Sequence, residues 1–213
     1  MRDGVQSVAE ACTGGGPRSG PAAVPRRLPV GSAWAAAGGR LARMDLDIVY
    51  WPDPVLLTPA EPVGAVDDGV RAVAAAMRRV MFRLRGVGLA APQVGVGRRL
   101  MIVCPTGAPG EEEVILDPEI LGREGEAEGD EGCLSLPGVY GPVRRAERIR
   151  VRYRDLDGRS HERELEDFPA RVFQHEHDHL EGILFPDRMT PEARAAIEDE
   201  LESFRRAYAE RSA

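Results

Sequence analysis

The run Gln174-His175-Glu176-His177-Asp178-His179 constrains this chain more than any other stretch, because it places three of the four histidines in an HExxH pattern. On a helix, positions i and i+4 share a face one turn apart, so the imidazoles of His175 and His179 can converge on one ion. Glu176 sits about 100° round the helix from His175. From there its carboxylate can reach a metal-bound water without ligating the metal. His177 points roughly to the opposite side and is expected to face solvent or to serve as a hydrogen-bond partner. The fold must therefore bury one face of a helix over residues 168–180, which Gly182 is expected to stop, and must bring a further donor to it.

Two imidazoles do not hold a catalytic ion firmly, so a third protein ligand is expected. Glu181 lies only two residues past His179 on the wrong helical face, and Asp187 follows a proline beyond the helix stop. The better candidate lies upstream in Glu131-Gly132-Cys133-Leu134-Ser135-Leu136-Pro137, where Cys133 offers a thiolate from irregular backbone. Taken alone, Cys133 reads as a small buried hydrophobe. A third segment runs from Gly86 through Gly88, Ala90, Ala91, Pro92 and Gln93 to Gly95. Its Gly86-x-Gly88-x-x-Ala91 spacing mimics a dinucleotide fingerprint, but that fingerprint follows a strand and opens a helix. Here it follows a helix and meets Pro92. Its glycines instead let backbone approach a ligand closely. Gln93 can point a neutral donor into the site, although an isolated Gln is usually a surface residue.

A chain of 213 residues with 43% hydrophobic content suits one core plus a tail. The net charge of -7 and pI near 5.3 provide no basic field for a nucleic-acid backbone. Cys12, Cys104 and Cys133 are odd in number and form no CxxC pair, which argues against a disulfide framework and for a reducing compartment. No apolar run approaches the roughly 18 residues of a membrane-spanning helix. Residues 28–37 are too short and too interrupted for a secretory signal, while an organellar presequence stays open for the Arg-containing leader.

Residues 1–43, rich in Gly, Ala, Pro, Ser and Arg, are expected to be disordered or to precede the true start, with Met44 opening the domain. Residues 44–50 alternate briefly, and 51–62 should wrap the core as extended chain. Val70, Val73, Met77, Val80 and Leu84 mark an amphipathic helix capped by Asp67 or Asp68 and stopping at Gly86. Residues 100–104 and 114–116 read as short strands ended by Pro105 and Pro118. Residues 149–153 and 162–165 flank the hairpin signal Asp157-Gly158. A last helix starts at Thr190-Pro191 with the stripe Ala193, Ile197, Leu201, Phe204 and Tyr208. Isolated strands and separated helices without regular alternation argue for an α+β fold.

The segments GVGLAAPQ, EGCLS and QHEHDHLEG, in this order, resemble the peptide deformylase family over about residues 44–189. The resemblance implies antiparallel sheets surrounding a central HExxH helix, with an N-terminal and a C-terminal helix. It divides the chain into a leader 1–43, a catalytic domain 44–189 and a C-terminal helix 190–213. It implies hydrolysis of the N-formyl group from the N-terminal methionine of new proteins. It makes Cys133, His175 and His179 the metal ligands and Glu176 the acid/base, with Gln93 and the backbone NH of Leu134 binding the formyl oxygen. Gly88 would contact substrate through its backbone, Val87, Leu134 and Val172 would border the methionine side chain, and Glu131 would brace the Cys loop against Arg145. One divalent ion is implied, Fe²⁺ in the cell and replaceable by Ni²⁺ or Co²⁺, while the donor set by itself suits Zn²⁺. The implied partners are a formylmethionyl nascent chain and the ribosome, reached through Arg205, Arg206 and Arg211, although the apolar stripe of that helix equally serves packing. The compartment is then cytoplasmic, or organellar if the leader is a presequence.

Two other readings compete. A peptide-bond-cleaving metalloprotease requires a downstream third ligand and an open groove. A structural zinc module requires a fourth protein donor, for which only Cys104 and His161 are left.

Overall fold

Alternation along single strands explains how two helices pack on one sheet. The computed structural model describes residues 46–212, so the leader 1–43, the start at Met44 and Cys12 lie outside the described residues. Seven strands follow in chain order: β1 (Gly88–Ala90), β2 (Leu100–Val103), β3 (Glu113–Glu124), β4 (Ala127–Cys133), β5 (Leu136–Arg145), β6 (Arg148–Arg154) and β7 (Ser160–Glu166). Helix α1 spans Asp68–Arg83, α2 Asp167–Leu180, α3 Pro191–Ala195 and α4 Glu198–Ser212. Five strands form an antiparallel sheet in the order β1-β2-β3-β6-β7, and β4 and β5 form a separate antiparallel hairpin. This is a mixed α/β architecture with antiparallel sheets.

Successive residues of a strand point to opposite faces. In β2, Leu100 and Ile102 join the cluster containing Val70, Val73, Met77 and Val80 of α1, while Met101 and Val103 join the cluster containing Ala170, Phe173 and Leu180 of α2. Each large aliphatic side chain buried this way contributes about 1.5–3 kcal/mol relative to exposure. The Asp67 carboxylate accepts from Val70 N at the start of α1. That helix ends at Arg83, before Gly86, because Arg85 already takes a left-handed φ of 56°. In β6 the alternation is plain: Ile149, Val151 and Tyr153 are buried, and Arg148, Arg150 and Arg152 are exposed.

Three sequence expectations change. Pro118 does not end a short strand; β3 continues through it by a register shift between Leu116 and Glu119. Asp117 takes φ 48° at the shift, accepts from Val63 N at 2.8 Å and pairs with Arg154, so the irregularity has its own hydrogen bonds. Cys133 does not lie on irregular backbone; it is the last residue of β4, where a register shift after Gly132 turns the chain into β5. The C-terminal helix is two helices. Thr190 caps the first through Ala193 N, and the second begins at Glu198, with Ile197 and Leu201 buried against Leu136, Val139 and Val143 of β5.

The expected hairpin at Asp157-Gly158 is present, with Gly158 at φ 77° and Asp155 N donating to Arg159 O. Gly182, at φ 73°, follows the cap residue of α2. Residues 46–50 are not a strand, although Leu46 and Ile48 are buried on either side of exposed Asp47. The stretch 51–62 contains one short 3-10 turn, Pro54–Leu57, and is tied to α2 by Ala60 N donating to Leu180 O. None of the described helices is long and apolar enough to cross a membrane.

Candidate metal centre

Helix α2 faces the sheet with Ala170, Phe173 and Leu180 and turns His175 and His179 toward the end of β4. The two rings are 5.1 Å apart and nearly perpendicular. Cys133 Sγ lies 3.3 Å from His179 Nε2. One ligand atom from each of Cys133, His175 and His179 lies within 4.8 Å of the other two, and all three residues are buried. Among the described residues this is the group able to hold a metal ion. The other donors weighed from the sequence are engaged elsewhere: Glu181 with Arg99 at 2.8 Å, Asp187 with Arg194 at 2.8 Å, and His161 with Asp155 at 2.7 Å. Cys104 sits in the α1 cluster.

Hydrogen bonds behind the donors fix their orientation. His175 Nδ1 bonds Glu131 Oε2 at 2.9 Å, which leaves Nε2 to point at Cys133. Glu131 is fully buried and meets Arg145 through two bonds of 2.9 Å each. Arg145 also pairs with Asp178, which in turn receives Arg188 at 2.7 and 3.0 Å. Burial works to raise the Glu131 pKa, but Arg145 and His175 hold it well below the usual carboxylate range. At Cys133 burial also pushes the thiol up, yet the charge on His179 and hydrogen bonds from His175 and His179 bring it down to about 5. The sulfur is therefore a thiolate at neutral pH, the form that binds metal.

Glu176 lies beside this group. Burial pushes its carboxyl up to about 7, against the opposing charges of His175 and His179. Its Oε2 and the Nδ1 of His179 are buried with no hydrogen-bond partner among the described residues. Buried polar atoms without partners are rare, and here they border the three donors, which fits a site completed by an ion and its water. Gly88 explains how Glu176 fits: a Cβ at that position would collide with the Glu176 carboxylate.

Gln93 is buried, and its Oε1 accepts from Ala90 N at 2.8 Å. That bond orients the amide so that Nε2 points at the cleft, 3.4 Å from Cys133 Sγ and 3.5 Å from Ser135 Oγ. Val87, Gly88, Leu134 and Gly132 line the same cleft with Gln93, Cys133, His175 and Glu176. Val172 packs in the cluster with Val87 and is not in that lining. His177 faces away from the donors, half-buried, stacked on Phe173 and 3.7 Å from Glu181.

The polypeptide deformylase family model matches residues 45–195. The chain belongs to that family. It is 48% identical over 159 residues to a peptide deformylase of Alkalilimnicola ehrlichii, a match covering 74% of this chain and 89% of that protein. It is 41% identical over 170 residues to the chloroplastic/mitochondrial peptide deformylase 1B of Arabidopsis thaliana, covering 78% of this chain but 62% of that protein's length. Among solved structures, a plant peptide deformylase superposes with a TM-score of 0.77 at 41% identity, covering 79% of this chain and 93% of the other. One from Plasmodium falciparum gives 0.74 at 34% identity, covering 76% and 97%. Family membership makes the chain a metal-dependent hydrolase, and its Cys133, His175 and His179 form a group able to hold a metal ion.

Arg171, Asp178 and Arg188 were not singled out from the sequence. Their signal was present in part, since Arg171 and Asp178 lie four residues before and three after His175, on the same side of the helix.

Proposed function

We propose that this deformylase removes the formyl group from the N-terminal methionine of newly made chains and releases formate. The observation that carries the reading is the convergence of Cys133, His175 and His179 beside Glu176 Oε2, which has no partner among the described residues. Residues 44–189 form the catalytic unit, with the HExxH helix as its centre, and 190–213 close it. Fe²⁺ is the ion we assign in the cell, with Zn²⁺, Ni²⁺ or Co²⁺ as replacements compatible with one sulfur and two imidazoles. A bound divalent ion supplies Lewis acidity that lowers the pKa of a coordinated water to about 7 in well-tuned sites.

The protein's residues carry the rest. Glu176 takes a proton at its carboxylate and returns it to the leaving amine, a task suited to a group poised near neutral pH. Gln93 Nε2 and the Leu134 NH donate to the formyl oxygen as negative charge develops there, which is where such donors count most. Val87 and Leu134, with Val172 behind them, border the methionine side chain, and Gly88 contacts the substrate backbone. A hydrogen on the carbonyl carbon fits a cramped site where the methyl of an acetyl group would clash.

Protein purified without oxygen and loaded with metal should release formate from a formyl-methionyl peptide and leave the acetyl-methionyl analogue and internal peptide bonds intact. Cleavage of an internal bond without formate release would replace this reading with that of a protease.

Ribosome docking is proposed for Arg205, Arg206 and Arg211 of α4, of which Arg205 also meets Glu198, Glu202 and the Trp51 ring and Arg211 the Tyr208 ring. Truncation at Thr190 that leaves ribosome binding unchanged rejects it. The compartment we assign is the cytoplasm, with an organelle as the alternative if 1–43 is a presequence, the location printed in the name of the Arabidopsis relative. Import of a fluorescent protein fused to residues 1–43 distinguishes them.

A further inference from the structure

We propose that Arg171 is a positioning residue for the metal centre, locking the β4–β5 hairpin that carries Cys133 onto the helix that carries His175 and His179. The proposal rests on the metal-site reading above. Arg171 lies one helical turn before His175, and the hydrogen bonds of its guanidinium go to neither the donors nor Glu176. Its side chain is 11% exposed and its guanidinium is shared among four acceptors. Nη1 donates to Glu131 Oε1 at 2.9 Å, Val143 O at 3.0 Å and Gly129 O at 3.4 Å, and Nη2 donates to Ala127 O at 2.7 Å.

Three of these acceptors are main-chain carbonyls drawn from both strands of the hairpin. Ala127 and Gly129 belong to β4, and Val143 is the residue of β5 paired with Gly129. Among the described residues the hairpin has no third strand, so it gains no ladder hydrogen bonds from the main sheet. A planar guanidinium with five fixed donors can hold several carbonyls at once, which an ammonium on a flexible stem does poorly. Gly129 is shaped to the same contact: a Cβ there would lie 3.2–3.4 Å from the Cζ, Nη2 and Nε of Arg171, closer than ordinary packing.

The fourth acceptor links this clamp to the ligands. Glu131 Oε1 takes Arg171, and Glu131 Oε2 takes Nδ1 of His175. Arg145 holds the same carboxylate from β5, so Glu131 is fixed from the helix and from the hairpin together. Groups that orient a metal-bound histidine in this way typically change metal affinity about 10- to 100-fold when removed. Arg171 acts one bond further out while also fixing the strand that ends in Cys133, so both classes of ligand depend on it.

The test uses the full chain loaded with Co²⁺, comparing wild type with Arg171→Met and Arg171→Lys. Readouts are the thiolate-to-cobalt absorption band, the half-time of metal release to a chelator, and the melting temperature of the metal-free protein. The expected result is a shifted or weakened band and release about ten-fold faster or more in Arg171→Met, with Arg171→Lys between it and wild type. If Arg171→Met does not fold, Arg171→Lys decides by the same readouts. A lowered melting temperature with an unchanged band and unchanged release would mean that Arg171 only supports the fold, and overturns the proposal. Absence of the band in wild type would instead overturn the metal site itself.

Discussion

Glu176→Gln should keep its metal and its fold while formate release falls about 10²- to 10⁴-fold, the range associated with a positioned general acid–base. The substitution preserves the shape of a side chain that fits against Gly88 and sits 4% exposed among the donors. It removes the ability to take a proton and hand it on. An amide also carries no charge, so the burial penalty on the charged form, which drives the Glu176 carboxyl up to about 7, is removed. The variant should therefore be no less stable than wild type. Equal metal content with near-normal kcat would remove Glu176 from the reaction, and loss of metal would make it a ligand instead. The same logic separates Glu176 from Glu131, the other buried glutamate of the site. Glu131 is satisfied by Arg145, Arg171 and His175, whereas Glu176 Oε2 has no partner among the described residues. A carboxylate bonded on every side holds structure, and one left free beside three metal donors is available for proton transfer.

The sequence made some of this legible and hid the rest for physical reasons. The HExxH helix and α1 could be read because each carries its signal in near neighbours: His175 with His179, and Val70, Val73, Met77 and Val80 on one stripe. The β4–β5 hairpin could not. Its strands contain Gly129, Gly132, Gly138, Pro137, Gly141 and Pro142, residues that normally mark turns. Their backbone carbonyls at Ala127, Gly129 and Val143 are held by Arg171, 28 to 44 residues away in the chain, which leaves no periodicity to find. Position 133 could be chosen as a donor from its residue type, but its placement at a strand end depends on that long-range clamp. Pro118 misled for a related reason, since the Asp117 side chain makes bonds to Val63 and Arg154 that support a bulge where a break was expected. The helix break near Ile197 has no proline or glycine to announce it.

Cys133→Ala should lose its metal on dialysis and with it all turnover above background. The sulfur is the donor that comes from outside α2, so without it only two imidazoles remain, too few for a firmly held ion. The fold should survive, because Ala fits where Cys133 packs with Leu136 and Val143 and the change deletes a single atom. Charge points the same way. Burial pushes the Cys133 thiol up, but His179 and His175 pull it down to about 5, so at pH 7 the site presents a negative sulfur between two rings. The sign of the pH dependence follows: protons compete with metal for the thiolate and for the imidazole nitrogens, so wild type should hold its ion less firmly as the pH falls below neutral. Metal analysis of dialysed samples across that range, read beside circular dichroism, checks both statements. Cys133→Ala that stays folded and retains a full equivalent of metal at pH 7 would show that the two histidines find their third ligand elsewhere, and the geometry of the β4 terminus would then need another explanation.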